Sequence, residues 1–275
     1  MRLATVMGST GTTAAVLDGT DWRALPAPDL SALFAGAGEA LDPAAVAGQA
    51  GVVVPDAVPV LPLPRPGKIL CCGLNYGEHI AETGRELPRF PTLFAKFADT
   101  LTGPTDDLHL DPSAEWDWEA ELAVVVGRTL HRADRATAAA GIGGWTVAND
   151  LSARDWQRRT LQWLQGKAWD ATTPVGPVVV TPDEVDPTAG LAISCRINGE
   201  EVQRDSTATL VFDAAELLAY VSTFTVLRPG DLVLTGTPGG VGMTRTPPRF
   251  LADGDVLETE IDGIGTLRNT VRLRA

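Results

Sequence analysis

Glu115-Trp116-Asp117-Trp118-Glu119-Ala120-Glu121-Leu122 runs straight into Ala123-Val124-Val125-Val126 and stops at Gly127. The second half is a β-branched run ended by a breaker, the composition of a strand. In the first half acidic and apolar residues alternate. Successive strand side chains point to opposite faces, so Asp117, Glu119 and Glu121 are expected on one face. Trp116, Trp118, Ala120 and Leu122 are expected on the other. Carboxylates this close raise one another's pKa, and a bound cation removes the repulsion. Oxygen-only ligands favour a hard ion, Mg²⁺ or Mn²⁺, over Zn²⁺. An antiparallel strand with one wet face alternates in the same way, so the octapeptide alone leaves both readings open. Asp150 adds weight to the first. It follows an apolar strand at residues 145–148, and strand ends are where ligands usually sit. An N-cap for the next helix would use the same residue.

Around this strand the chain reads as follows. Residues 68–72 form a buried strand broken by Gly73, and residues 75–83 a helix stopped by Gly84. Residues 133–140 are Ala-rich and helical. Residues 152–164 carry helix formers without Gly or Pro and are expected to be one helix. Further on, Ala192–Ile197, the turn Asn198-Gly199 and residues 201–203 give a hairpin signal. A helix at residues 214–221, a strand at Leu232–Leu234 and a final hairpin, Val256–Ile261 with residues 265–272, complete the pattern. Late strands with inserted helices predict an α+β, mainly β fold rather than alternating parallel units. Five prolines between Pro55 and Pro66 mark an extended connector. Ahead of it, residues 1–60 hold short strands and a small helix near residues 30–35. They are expected to be a small N-terminal appendage packed on a main domain of residues 61–275.

Composition narrows the function. The chain has 275 residues, 44% hydrophobic and 21% charged, which argues against general disorder. A net charge of −13 argues against binding nucleic acid or anionic lipid. No window approaches a membrane span, and the start lacks the apolar core of a signal peptide. Cys71, Cys72 and Cys195 offer no disulfide framework, so a cytoplasmic setting is the expectation.

Three further groups could carry chemistry. His79 and Glu82 are three residues apart, on one face of a helix, where a carboxylate can orient an imidazole to activate water. An ordinary charged helix face gives the same spacing. Lys167, in Gln165-Gly166-Lys167-Ala168-Trp169-Asp170, is flanked by Gly and aromatic residues. Held in a cleft it would steady an enolate or carboxylate; on a loop it would be solvated. Thr235-Gly236-Thr237-Pro238-Gly239-Gly240 follows a buried strand and can aim N–H and hydroxyl groups at an anion. It is neither a Walker A loop nor a dinucleotide fingerprint.

The order of these pieces resembles the fumarylacetoacetate hydrolase family. The matching stretches are Gly73-Leu74-Asn75-Tyr76 with His79 and Glu82, then Trp118-Glu119-Ala120-Glu121-Leu122, then Asn149-Asp150-Leu151-Ser152-Ala153-Arg154-Asp155-Trp156-Gln157. Next come Gly166-Lys167-Ala168-Trp169-Asp170, Ile197-Asn198-Gly199-Glu200 with Gln203, Gly230-Asp231 and Thr235-Gly236-Thr237-Pro238. The resemblance spans about residues 66–273. It implies a mixed β-roll, usually a homodimer, using Mg²⁺ or Mn²⁺. Carried over residue by residue, it implies that Glu119, Glu121 and Asp150 ligate the metal. It makes His79 and Glu82 a water-activating dyad on a segment that orders over substrate, and gives Lys167 the task of stabilising developing negative charge. Tyr76, Arg154, Gln157 and Thr237 would contact substrate. Asp117 and Glu115 receive no role. Ala168-Trp169 departs from the family's usual small polar residue and Phe, which bears on pocket shape. The implied activity is hydrolysis of a C–C bond in an acylpyruvate or related 2,4-dioxo acid. Isomerisation of a hydroxy-dienoate diacid and decarboxylation of an oxaloacetate-like acid share the same enolate. A catalytically inactive binding module is the non-enzyme alternative, and it would be expected to lack one of His79, Glu82, Glu119, Glu121, Asp150 or Lys167.

Overall fold

In the computed structural model, residues 1–274 are described except Thr83 and Arg85, with only the backbone described at His79 and Ala81. The strand Ala120–Val126 is buried at every position. It pairs antiparallel with Ile142–Asn149 on one side and with Leu232–Leu234 on the other. A strand covered on both faces needs apolar side chains throughout, which is why residues 122–126 do not alternate. Beyond Ile142–Asn149 the sheet continues through Thr173–Val180 to Arg2–Gly8, Gly11–Asp18 and Asp21–Ala24. Beyond Leu232–Leu234 it continues through Ile69–Gly73, a parallel neighbour, to Thr92–Lys96.

A second sheet runs in the order Glu200–Ser206, Ala192–Ile197, Val256–Ile261, Gly265–Leu273 and Leu108–Leu110. Asn198 and Gly199 both take positive φ, 52° and 81°, as the tight hairpin turn requires. The two sheets share a core in which Val124, Val147 and Val180 meet Ile193, Leu257 and Leu267. The other face of the main sheet is covered by Leu30 and Phe34 of the helix Leu30–Gly36 and by Leu63. The fold is α+β and mainly β, with mixed sheets, as expected.

Residues 1–60, expected as an appendage, lengthen the main sheet at its edge. Arg2 and Leu3 pair with Val180 and Val179, and Leu3, Ala14 and Phe34 share a core with Ala123 and Val125. Residues 51–54 run beside Asp21–Ala24, joined by an isolated bridge from Val53 to Arg23 and by backbone bonds from Ala24 to Val52 and from Val54 to Trp22, 2.9 and 2.8 Å.

The helix expected over residues 152–164 is not one helix. Ser152–Ala153 bridges to Trp116–Asp117, and two short helices follow, Arg154–Gln157 and Leu164–Lys167. The site explains the break. Arg154 and Lys167 both reach Glu119, each at 2.7 Å. An unbroken helix would separate residues thirteen apart by about 20 Å. Gly166 closes the gap, because a Cβ there would lie 2.5 Å from the Cβ of Gln157.

Asn75 ties the end of the central sheet to its surroundings. Its buried amide donates to the carbonyls of Phe212 and Thr235 at 2.8 and 2.7 Å and accepts the Phe212 N–H at 2.7 Å. Asn75→Ala leaves these backbone groups unpaired. We expect a loss of about 3 kcal/mol in denaturant unfolding. A loss below about 1 kcal/mol would mean that water takes over the amide's role.

Candidate active site

The alternation expected from the octapeptide is interrupted. Trp116–Asp117 and Ala120–Val126 are separate strands, with Trp118 and Glu119 between them. Glu119 and Glu121 turn towards Asp150, and each of the three offers a carboxylate oxygen within 4.8 Å of the others. Their exposures are 7%, 1% and 0%, so a wet strand face does not account for them. Asp150 is not an N-cap either, since Ala153 precedes the helix Arg154–Gln157. Its place is fixed by its backbone N–H, which donates to the Glu119 carbonyl at 2.9 Å.

Asp117 goes elsewhere. It accepts the N–H groups of Trp118, Gly242 and Met243 at 2.8, 2.7 and 3.1 Å, and the Arg154 Nε at 2.7 Å. Arg154 then reaches Glu119 Oε1 at 2.7 Å and Gln157 Oε1 at 2.9 Å through its Nη1. Burial lowers the Arg154 pKa, but Asp117 and Glu119 outweigh it and the net shift is upward.

Lys167 sits between two of the carboxylates. Its Nζ lies 2.7 Å from Glu119 Oε2 and 2.8 Å from Asp150 Oδ2, and 5.2 Å from the centre of the Phe94 ring. Burial pulls its pKa down, yet Asp150 and Glu119 prevail and raise it. Lys96, fully buried at the end of the strand Thr92–Lys96, bonds the other oxygen of Asp150. Sequence reasoning missed Lys96. The available signal was a lysine closing an apolar strand, Leu93-Phe94-Ala95-Lys96, where solvent could not be assumed.

Glu121 is the least compensated member. It accepts one N–H, from Gly236 at 2.7 Å, and has no ion pair among the described residues. Burial, then Asp150, then Glu119 push its carboxyl well above the ordinary carboxylate range. That excess of buried negative charge, on oxygen donors alone, fits a hard divalent cation among Glu119, Glu121 and Asp150. Gly236 makes the contact possible. Its φ is +102°, and a Cβ there would lie 2.8 Å from the Cys72 carbonyl oxygen.

Beside this cluster lies a cavity of about 580 Å³. Glu119, Glu121, Arg154, Gln157, Lys167 and Thr237 all line it. Tyr76 is not in that wall. It is fully buried, its hydroxyl has no hydrogen-bond partner among the described residues, and burial, then Glu121 and Asp205, raise its pKa. Glu82 is exposed on the helix Gly77–Glu82 and accepts the Gly240 N–H at 3.0 and 3.1 Å. The His79 side chain lies outside the described residues, so the expected His79–Glu82 pairing has no geometry here. The cysteines are buried, and burial pushes Cys72 up to about 12, so it is a thiol, not a thiolate ligand.

The family model for the C-terminal region of fumarylacetoacetate hydrolase matches residues 68–272. The oxaloacetate tautomerase Fahd2a, mitochondrial, of Rattus norvegicus is 47% identical over 212 residues, 76% of this chain and 68% of that protein. Among solved structures, the 5-carboxymethyl-2-hydroxymuconate delta-isomerase from Mycobacterium smegmatis is 31% identical and superposes with a TM-score of 0.82, covering 100% of both chains. The fumarylpyruvate hydrolase from Pseudomonas aeruginosa, solved with Mn²⁺ and pyruvate, is 32% identical with a TM-score of 0.68. That match covers 75% of this chain and 90% of the other. The chain therefore belongs to the fumarylacetoacetate hydrolase family.

Proposed function

We propose that this protein is a divalent-metal-dependent enzyme that works on a small 2-oxo acid through its enolate, with keto–enol tautomerisation of an oxaloacetate-like diacid as the leading reaction. The observation that carries this reading is a single cavity lined by Glu119 and Glu121 together with two buried cations, Arg154 and Lys167. The 47% identity to a protein named oxaloacetate tautomerase supports the substrate class.

On this reading Glu119, Glu121 and Asp150 hold Mg²⁺ or Mn²⁺, which when bound polarises the 2-oxo group and eases loss of a neighbouring C–H proton. Tautomerisation moves one proton between C3 and the C2 oxygen, and negative charge gathers on that oxygen in between. Lys167, with its Nζ between Asp150 and Glu119, is placed to supply positive charge and N–H donors to that oxygen. Arg154, held by Asp117 and Gln157, offers its Nη2 to a substrate carboxylate. That Nη2 is buried and has no partner among the described residues. The Phe94 and Trp163 rings in the same wall limit access of water.

Hydrolysis of a C–C bond in an acylpyruvate is the second reading, supported by the similarity to the Mn²⁺- and pyruvate-bound fumarylpyruvate hydrolase. It requires His79 and Glu82 to activate water. All six residues whose loss would favour an inactive binding module are present. Three buried free thiols fit a reducing compartment, whether cytoplasmic, as expected from the sequence, or mitochondrial, as in the rat relative's name. A homodimer completes the reading, and sedimentation would measure it.

The metal assignment is tested first by melting. Mn²⁺ at about a hundred times its Kd should stabilise the protein by about 2.7 kcal/mol. Glu119→Ala should remove most of that shift, and an unchanged shift would rule Glu119 out as a ligand. The reaction is tested by following the ultraviolet absorbance of enol oxaloacetate with Mg²⁺ or Mn²⁺. Lys167→Met should lower kcat by about 10² or more while the Mn²⁺ melting shift persists. Loss of both together would give Lys167 a structural role instead. An acylpyruvate run in parallel separates the second reading. If it is cleaved, His79→Ala should lower that cleavage by about 10² and spare tautomerisation; equal losses would remove His79 from water activation.

A further inference from the structure

Gln203 is 2% exposed and belongs to the strand Glu200–Ser206. The pairing with Ala192–Ile197 shifts between Cys195 and Arg196, so that Cys195 faces Gln203 while Arg196 faces Glu201. At this bulge Val202 and Gln203, sequence neighbours, are both buried. The Gln203 amide lies behind Thr237, a residue of the cavity wall.

Two backbone groups fix which way that amide points. Its Oε1 accepts the Ala120 N–H at 3.0 Å, and an N–H can only donate. Its Nε2 donates to the Pro238 carbonyl at 2.9 Å, and a carbonyl can only accept. The second Nε2 hydrogen then goes to Thr237 Oγ1 at 2.8 Å. The Thr237 hydroxyl is thus already an acceptor, and it donates to no protein group among the described residues. Thr237 lines the cavity, 2% exposed.

We propose that Gln203 is a positioning residue that commits the Thr237 hydroxyl to donate into the cavity, so that the site takes a carboxylate or enolate oxygen there. Arg154 lines the same wall, and its buried Nη2, an obligate donor, has no partner among the described residues. A hydroxyl hydrogen and a guanidinium hydrogen left without protein acceptors at these two points favour an anionic oxygen over a group that can only donate. The identity of the ligand as a 2-oxo acid rests on the proposed function; the polarity of Thr237 does not.

The test uses Mn²⁺-loaded protein titrated calorimetrically with oxalate, a dianion that only accepts hydrogen bonds. Thr237→Val should weaken oxalate by about tenfold, the scale of one hydrogen bond to a charged group, and Thr237→Ser should restore it. In Gln203→Glu the new carboxylate draws the Thr237 hydrogen to itself, so the loss should again be about tenfold. The double variant Gln203→Glu with Thr237→Val should be no weaker than either single one, because both remove the same bond. Gln203→Met, which removes both polar ends, is read in the same way if the carboxylate prevents folding. Losses that multiply in the double variant, Gln203 variants with unchanged affinity, or an unmodified protein that takes up no oxalate would each overturn the proposal. Oxaloacetate turnover is followed separately. Intact coupling without turnover would remove the tautomerase reading and leave the role of Gln203 standing.

Discussion

Glu119, Glu121 and Asp150 lie inside the protein close enough to share one ion, and much of the structure around them answers that concentration of charge. A buried unpaired charge costs several kcal/mol even after local relaxation. The opposing charges come from three separate stretches: Lys96 ends a strand, Arg154 opens one short helix and Lys167 closes another. Each cation is itself buried, so each needs the acids as much as they need it. Removing any one leaves a charge of the other sign stranded. The compensation is uneven. Asp150 receives two lysines and Glu119 receives Lys167 and Arg154, while Glu121 receives one backbone N–H. The deficit lies at the cavity wall, where a divalent ion has a reason to bind.

That arrangement dictates several departures from regular structure. The strand through Trp116 and Glu121 breaks so that Asp117 can serve Arg154 and the 242–243 loop while Glu119 turns to Asp150. The helix beyond Asp150 breaks so that Arg154 and Lys167 can reach one carboxylate from two directions. Gly73 lets the Trp163 ring pack against the end of its strand, since a Cβ there would lie 2.4 Å from that ring. Local propensity yields where buried charge must be paired.

The main strands were legible from sequence because burial leaves a mark. The run at residues 122–126 is apolar without alternation, and Asn198-Gly199 names its own turn. At residues 152–164 composition reports helix propensity, and ion pairing across the chain overrides it. Lys96 was missed because a single lysine in an apolar strand gives no partner, and its partner, Asp150, lies 54 residues away. Strict alternation puts Asp117 with the other acids only if the strand is unbroken, and it is broken at Trp118 and Glu119. Gln203 figured only as part of a resemblance. Its meaning depends on a bulge, and a bulge shows in pairing rather than in composition.

The charges and the donors have different parts to play. An assembly of paired acids and cations stabilises negative charge on oxygen in any 2-oxo acid, and so it suits tautomerisation, isomerisation and C–C cleavage alike. What separates those reactions is which further group can reach the substrate. Glu82 is tied to Gly240, three residues beyond Thr237, so the helix that carries His79 is joined to the loop that carries a cavity donor. A change in that loop would be felt at both places. The charge cluster is costly to alter, whereas this exposed contact between one short helix and one loop can change without unpairing a buried charge.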